Sequence, residues 1–295
     1  MTDTNEYGVV LKGIGGFYYV LRDGKVYECK AGGRLRLGDI SPVAGDRVTF
    51  ELSGEDGLIT SIRRRKNSLT RPPVANIDRL FIVASSAPPA ADPTLIDTVT
   101  VIALWQDIEP IILLNKIDVD PSDELYATYT SAGFRVLRVS ALTGEGIDEV
   151  RALARTGISC FTGNSGIGKS SILNCLMPER DLLVGRISKK IARGRNTTRQ
   201  SELFPCGEGF VIDTPGFSAF EITKDDDVRK EQLQHYFPEI TDYFDKCRFA
   251  GCAHIREPGC AVRQRVKEGL IPKTRYLSYC KIYEDLARIK DWERK

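Results

Sequence analysis

The chain has 295 residues, 42% hydrophobic and 28% charged, with a formal net charge of +2; that length suffices for two or three domains and the composition is ordinary for a soluble protein. No stretch approaches the roughly 18 uninterrupted apolar residues of a membrane span, and the opening Met1-Thr2-Asp3-Thr4-Asn5-Glu6 is no secretory signal, so no membrane partner and a cytoplasmic location are expected. Eight spread-out cysteines argue against a secreted disulfide scaffold. The small net charge hides a segregation: residues 1–71 carry 12 basic and 9 acidic side chains, residues 247–295 carry 12 and 6, and the stretch between them stands at −7. Basic flanks around an acidic middle suit a polyanionic partner gripped by the flanks, although solvated basic faces give the same count.

In chain order, residues 1 to about 66 read as all-β. Strands are expected at 7–11, 16–21 and 26–29, with a hairpin turn at Asp23-Gly24, then at 40–50 and 58–62. About five short strands with aromatics and glycines fit an OB-type barrel or an SH3-like one, and the residues leave both open. Of Phe17, Tyr18 and Tyr19, alternation buries at least one, and the others are available to stack on bases. Arg63-Arg64-Arg65-Lys66, followed by Arg71-Pro72-Pro73, is a basic linker that proline keeps from continuing as helix or central strand. Its charges serve either as a solvated connector or as phosphate contacts.

From Asp78 the pattern alternates. Strands at 80–84, 111–114, 134–139 and 158–162 are interleaved with helices near 94–104, 122–132, 147–154 and from 171 onward. This predicts a mainly parallel, doubly wound sheet with ligand loops at the carboxyl ends of its strands.

Gly163-Asn164-Ser165-Gly166-Ile167-Gly168-Lys169-Ser170 fits G-x-x-x-x-G-K-[ST] between an apolar strand and a helix, and Ser171 continues it. Glycines let backbone N–H groups turn toward phosphate, the helix start adds partial positive charge, Lys169 neutralises β/γ oxygens, and Ser170 suits Mg²⁺. Upstream, Asn115-Lys116-Ile117-Asp118 is an N-K-x-D base reader. Asp118 would accept from guanine N1–H and the 2-amino group. Facing adenine, a buried carboxylate would meet a lone pair, at a cost of about 1–3 kcal/mol. Lys116 would lie along the base plane and Asn115 would tie this loop to the phosphate loop. Ser140-Ala141-Leu142 matches S-A-[KL], whose backbone N–H meets guanine O6. Downstream, Asp213-Thr214-Pro215-Gly216 is a D-x-x-G element, with Asp213 toward Mg²⁺ and the Gly216 N–H toward the γ-phosphate. In Gly194-Arg195-Asn196-Thr197-Thr198-Arg199, Thr198 is the favoured threonine ligand of Mg²⁺. Small GTPases ordinarily begin with the P-loop, whereas here the base reader precedes it, so the module is circularly permuted.

After residue 223 the chain turns helical and polar, and Cys247-x4-Cys252-x-His254-x5-Cys260 follows. Three thiolates and an imidazole at short spacing suit a closed tetrahedral Zn²⁺ site, one structural ion per chain. Leu277, Cys280, Tyr283, Leu286 and Ile289 form a helical stripe expected to pack on this unit. Cys29, Cys160, Cys175, Cys206 and Cys280 read as small core residues.

The order NKID, SAL, GNSGIGKSS, RNTTR, DTPGF and then the cysteine cluster resembles the RsgA (YjeQ) family of circularly permuted GTPases that act in small ribosomal subunit maturation. The resemblance covers nearly the whole chain and implies an OB-type barrel at 1–71, the permuted GTPase domain at 72–223 and a helical zinc-binding domain at 224–295. It implies a protein that hydrolyses GTP to GDP, binds 16S rRNA, and is activated by the 30S subunit in late maturation; a monomer is expected. Phe217 stands where many GTPases keep a water-orienting glutamine, which predicts slow intrinsic hydrolysis. Where many relatives carry histidine before the two threonines this chain has Asn196, an amide that orients water but takes up no proton. Lys169 and Asn196 are the catalytic candidates. The rival readings are a guanine-nucleotide-dependent protein-binding switch without RNA, and a P-loop ATPase or kinase, which NKID and SAL oppose.

Overall fold

The computed structural model describes residues 7–33, 35, 40–53, 56–178, 201–213, 222, 226 and 228–290. Asn196, Thr198, Gly216 and Phe217 lie outside the described residues. The chain divides into two compact units, one of Met1–Arg79, Glu149–Phe161 and Ile172–Pro215, the other of Leu80–Asp148, Thr162–Ser171 and Gly216–Lys295.

The first unit opens with β1 (Gly8–Ile14), β2 (Phe17–Arg22), β3 (Lys25–Ala31), β4 (Arg47–Ser53) and β5 (Asp56–Ile62), closed into a barrel in the order β1-β2-β3-β5-β4. Asp23 and Gly24 take φ of 50° and 72°, the left-handed pair that a two-residue hairpin turn requires. β3 and β5 pair in parallel, with Cys29 opposite Gly57, and β4 returns to β1 through Gly8 opposite Val48. This order is that of the OB fold and decides against the SH3-like alternative. Alternation sends Val10, Val20, Cys29, Val48, Phe50 and Ile59 inward as one core. Of the aromatic trio, Tyr19 is the buried member, its hydroxyl donating to Glu28 Oε2 at 3.1 Å.

The strand expected at 40–50 begins only at Arg47. Before it, Ala44 makes an isolated bridge to Val74, and the buried Asp46 carboxylate accepts from Val43 N at 2.7 Å. Arg65 Nε and Nη2 donate to the same carboxylate at 2.7 and 2.8 Å. One member of the basic linker is therefore a structural clamp, because an acid with no exposed surface needs a bidentate cation. Lys66 pairs with Asp78. A small ladder of β6 (Ser68–Leu69) and β7 (Val74–Ala75) follows the linker.

Next come β8 (Arg79–Ala84), α1 (Pro93–Trp105), β9 (Glu109–Leu114), α2 (Asp123–Ser131), β10 (Arg135–Arg138), α3 (Ile147–Ala154), β11 (Ile158–Gly163), α4 (Lys169–Leu176), β12 (Leu203–Cys206) and β13 (Gly209–Asp213). The strand order is β10-β9-β8-β11-β13-β12. β9 with β10 and β11 with β13 are parallel, while β12 runs antiparallel to β13 at the edge. Leu80 to Ala84 and Ile111 to Leu114 are all fully buried, the continuous apolar runs of strands covered on both faces. Asp92 caps α1 by accepting from Thr94 N at 2.8 Å, and Pro93 fills the first helical position, where its missing N–H costs nothing. The sequence reading missed β12, whose Pro205 is compatible only with an edge strand. Within the first unit, Lys12 of β1 reaches Glu202 beside β12, Nζ to Oε1 at 2.6 Å.

The C-terminal part of the second unit is helical. Two 3₁₀ turns, Leu233–Tyr236 and Phe244–Lys246, flank α5 (Pro238–Thr241), and α6 (Ala261–Lys267) and α7 (Lys273–Arg288) follow. Leu233, Phe237, Ile240, Val262, Ile271, Tyr279, Ile282 and Leu286 form its core. Of the expected stripe on α7, Leu286 is buried and Cys280, Tyr283 and Ile289 pack partly buried against this core, while Leu277 is 55% exposed; the buried face also takes in Arg275, Ser278, Tyr279 and Ile282. Arg275 sets that face. Its guanidinium meets Asp97 of α1 at 2.5 Å and Glu239 of α5 at 2.7 Å, with no exposed surface on Arg275 or Asp97.

Candidate nucleotide site and metal centre

The nucleotide residues of the second unit converge from three loops. Gly166 and Gly168 take φ of 77° and 93°, so the phosphate loop is wound through backbone that side chains resist. Ile167 between them is fully buried and anchors the loop, and Lys169 and Ser170 open α4, placing Gly163 to Ser171 across a strand-to-helix turn. Asn115 continues from β9 with 2% exposure. Its Nδ2 donates to Ile167 O at 2.9 Å, and its Oδ1 accepts from Ala141 N at 3.1 Å. One amide thus holds the phosphate loop and the Ser140–Ala141 loop together.

Lys116 has left-handed backbone, φ 67°, and its ammonium donates to Pro88 O at 2.8 Å, an attachment that sequence reasoning did not include. The Asp118 carboxylate is oriented by Ser140, whose Oγ donates to Oδ1 at 2.5 Å; Ser140 Oγ in turn accepts from Thr143 N at 3.1 Å. Asp118 is exposed rather than buried, so the desolvation that penalises a wrong purine arises when a base covers it. Of the backbone N–H groups in the Ser140-Ala141-Leu142 element expected to meet O6, that of Ala141 is engaged by Asn115. Sequence reasoning missed Val119, which with Leu142 of the S-A-[KL] match puts apolar side chains, 69% and 85% exposed, on the two loops that carry Asp118 and Ser140. Their signal was apolarity in otherwise polar loops. Asp213 ends β13 in the first unit, in register with Phe161.

The four candidate ligands, Cys247, Cys252, His254 and Cys260, bring one ligand atom each within 4.8 Å of the others. Cys247 Sγ and Cys260 Sγ lie 3.5 and 3.4 Å from His254 Nδ1, and 3.9 Å from each other. A tetrahedral ion with metal–sulfur bonds of about 2.3 Å and a metal–nitrogen bond of about 2.05 Å would set these edges near 3.6 and 3.8 Å, so the donors fit a single closed site. The chemistry agrees. Backbone N–H groups of Ala261 and Arg263 donate to Cys247 Sγ and Cys260 Sγ at 3.3 and 3.4 Å, which favours thiolates. Burial pushes the Cys252 and Cys260 thiols up and the His254 imidazolium down, so a bound cation is what would favour thiolates at those two cysteines. The loop is wound tightly around Glu257, whose carboxylate accepts from the backbone N–H of Ala253, Ile255 and Arg256 at 2.9, 3.0 and 2.9 Å. His254 itself has φ 62°. From α7, the Tyr276 and Tyr279 hydroxyls donate to His254 O at 2.7 Å and Ala253 O at 3.1 Å.

An OB-type barrel, a phosphate loop downstream of its base-reading loop, and a Cys₃His cluster that could hold a metal ion define a circularly permuted P-loop GTPase. Comparison with known proteins agrees. The RsgA GTPase family matches residues 62–223 and the RsgA N-terminal domain matches residues 7–59. A small ribosomal subunit biogenesis GTPase RsgA of Caldanaerobacter subterraneus subsp. tengcongensis is 40% identical over 98% of this chain and 97% of its own. One of Geobacillus sp. is 41% identical over 96% and 98%. Among solved structures, YjeQ from Thermotoga maritima superposes with a TM-score of 0.80 at 32% identity, covering 97% of this chain and 99% of that one. YloQ, a circularly permuted GTPase, gives 0.79 at 31%, covering 98% and 99%. The chain belongs to the RsgA GTPase family.

Proposed function

We propose that this GTPase turns GTP into GDP and phosphate as a checkpoint in late maturation of the 30S subunit, with the assembled subunit as activator. The observation that carries the nucleotide half is the double hydrogen bond of Asn115, which fixes the phosphate loop against the loop beside Asp118. On this reading Asp118 selects guanine, Val119 and Leu142 offer apolar surface to the base, and Lys169 with the N–H groups of Gly163 to Ser171 holds the phosphates. Ser170, Asp213 and Thr198 would hold Mg²⁺, which when bound neutralises developing charge on the β/γ oxygens. Gly216 would sense the γ-phosphate, Asn196 would orient water, and Phe217 leaves intrinsic turnover slow.

The ribosomal half rests on the names of the relatives and on charge. The metal knuckle presents Arg248 stacked at 5.4 Å over Phe249, which is 47% exposed, and the barrel holds Lys30 5.0 Å over Phe17. Such cation–aromatic pairs suit unpaired bases of 16S rRNA. The Cys₃His cluster would hold one structural Zn²⁺. Among the described residues no helix is long and apolar enough to cross a membrane, and the reading is of a cytoplasmic monomer with a barrel at 1–71, a GTPase domain at 72–223 and a zinc domain at 224–295. The test is GTP turnover with and without purified 30S subunits at two salt concentrations. Stimulation that fades as salt rises is expected, since displaced counterions give RNA binding a steep salt slope. Turnover indifferent to the subunit would overturn the ribosomal half.

A further inference from the structure

His254 uses one ring nitrogen toward the sulfurs and the other elsewhere. Nδ1 faces Cys247 and Cys260, while Nε2 lies 2.8 Å from Oε1 of Gln234, 20 residues upstream. Gln234 sits on the 3₁₀ turn Leu233–Tyr236, and its neighbours Leu233 and Phe237 are fully buried in the C-terminal core. The amide is therefore presented from a fixed support. A neutral imidazole has two tautomers, and only the one protonated on Nε2 leaves a lone pair on Nδ1. An acceptor at Nε2 selects that tautomer and also stops the ring from flipping about its Cβ–Cγ bond. The second role matters here, because the left-handed backbone of His254 does not by itself fix the ring.

We propose that Gln234 is the positioning residue of the metal centre, its amide oxygen holding the His254 Nε2–H so that Nδ1 is always offered to the ion. This rests on the reading that the Cys₃His cluster binds Zn²⁺. The residue has no counterpart in the ligand spacing, and the linear sequence gives no sign of it.

The test is chelator competition for Zn²⁺ on the full chain, comparing the wild type with Gln234→Leu and Gln234→Glu, and absorption spectra of the Co²⁺-loaded proteins. Gln234→Leu removes the acceptor at similar volume and should weaken Zn²⁺ binding about 10- to 100-fold. Gln234→Glu restores an acceptor, a stronger one, and should bind Zn²⁺ at least as tightly as the wild type, with an unchanged Co²⁺ spectrum. If Gln234→Leu stays within twofold of the wild type, or if both variants weaken alike, the amide is only packing and the inference fails. Should the wild type take up no Zn²⁺ at all, the reading of the cluster fails first, and that result is distinguishable because it appears before any substitution.

Discussion

Replacing Arg275 by methionine tests the buried charge cluster that joins α7 to α1 and α5. The guanidinium donates from Nη1 to Asp97 Oδ1 at 2.5 Å, and from Nε and Nη2 to Glu239 at 2.7 and 3.2 Å. It also lies 4.5 Å from the Phe237 ring and 4.9 Å from the Phe134 ring, and the Tyr129 hydroxyl donates to Asp97 Oδ1 at 2.9 Å. Methionine preserves much of the stem but leaves two carboxylates without a countercharge where water does not reach. Breaking such a cluster costs about 3–5 kcal/mol, whereas neutralising every member together is far less harmful. Arg275→Met should therefore lose about that much in urea unfolding followed by fluorescence of Trp105, which packs against this core. Adding Asp97→Asn and Glu239→Gln should recover most of the loss. The pH dependence has a definite sign. Burial already raises the Asp97 pKa above its ordinary 3.8, and Arg275 opposes that rise. Without the arginine it climbs further, so the folded variant retains a proton that the unfolded chain releases, and its stability falls as pH rises through that window. The deficit should therefore grow as pH rises above the ordinary carboxylate value. A loss below about 1 kcal/mol, or a triple variant no better than the single one, would refute the reasoning.

Three further outcomes are expected. Asp118→Asn should weaken GTP binding about 10- to 100-fold and admit xanthosine triphosphate, whose 2-oxo group needs a donor; equal use of ATP and GTP by the wild type would remove Asp118 from base selection. Gly168→Ala places a methyl group against the Asn115 amide on backbone of φ +93°, so guanine-nucleotide affinity should drop more than tenfold with the circular dichroism of the fold retained; titration with a fluorescent GDP analogue reads this. Burial alone would raise the Glu257 pKa, but backbone hydrogen bonds outweigh it and hold the carboxyl below its ordinary 4.5. Its stabilisation is therefore present above 4.5 and lost as pH falls through the lower folded value, and the gap in melting temperature between wild type and Glu257→Gln should close over that range.

What the sequence made legible was local. The β-alternation of 7–29, the apolar runs of β8 and β9 and the Gly-rich turn before α4 each encode structure within a few residues, and the structure follows them. The Cys₃His spacing was legible for the same reason, since ligands close in sequence are brought together by a short loop. Contacts between distant residues were not. Arg275 and Asp97 are 178 positions apart, and nothing in either neighbourhood marks a buried ion pair, so the α7 stripe is legible at Cys280, Tyr283, Leu286 and Ile289 but the buried charge that begins the face is not. Within a run that reads as solvated connector or phosphate contact, nothing marks Arg65 as the partner of Asp46, 19 residues earlier. The N-K-x-D pattern places Lys116 along the base plane but carries no sign of its link to Pro88, which depends on a loop 28 residues upstream.

The left-handed turn at His254 has a consequence for the life of the molecule in a growing cell. A residue other than glycine stays at φ 62° only while its surroundings compel it. On the proposal that the cluster holds an ion, a copy left without it would have only the Tyr276 and Tyr279 hydroxyls and the Glu257 carboxylate to hold that turn, and a turn that relaxes exposes a thiol-rich segment to proteolysis.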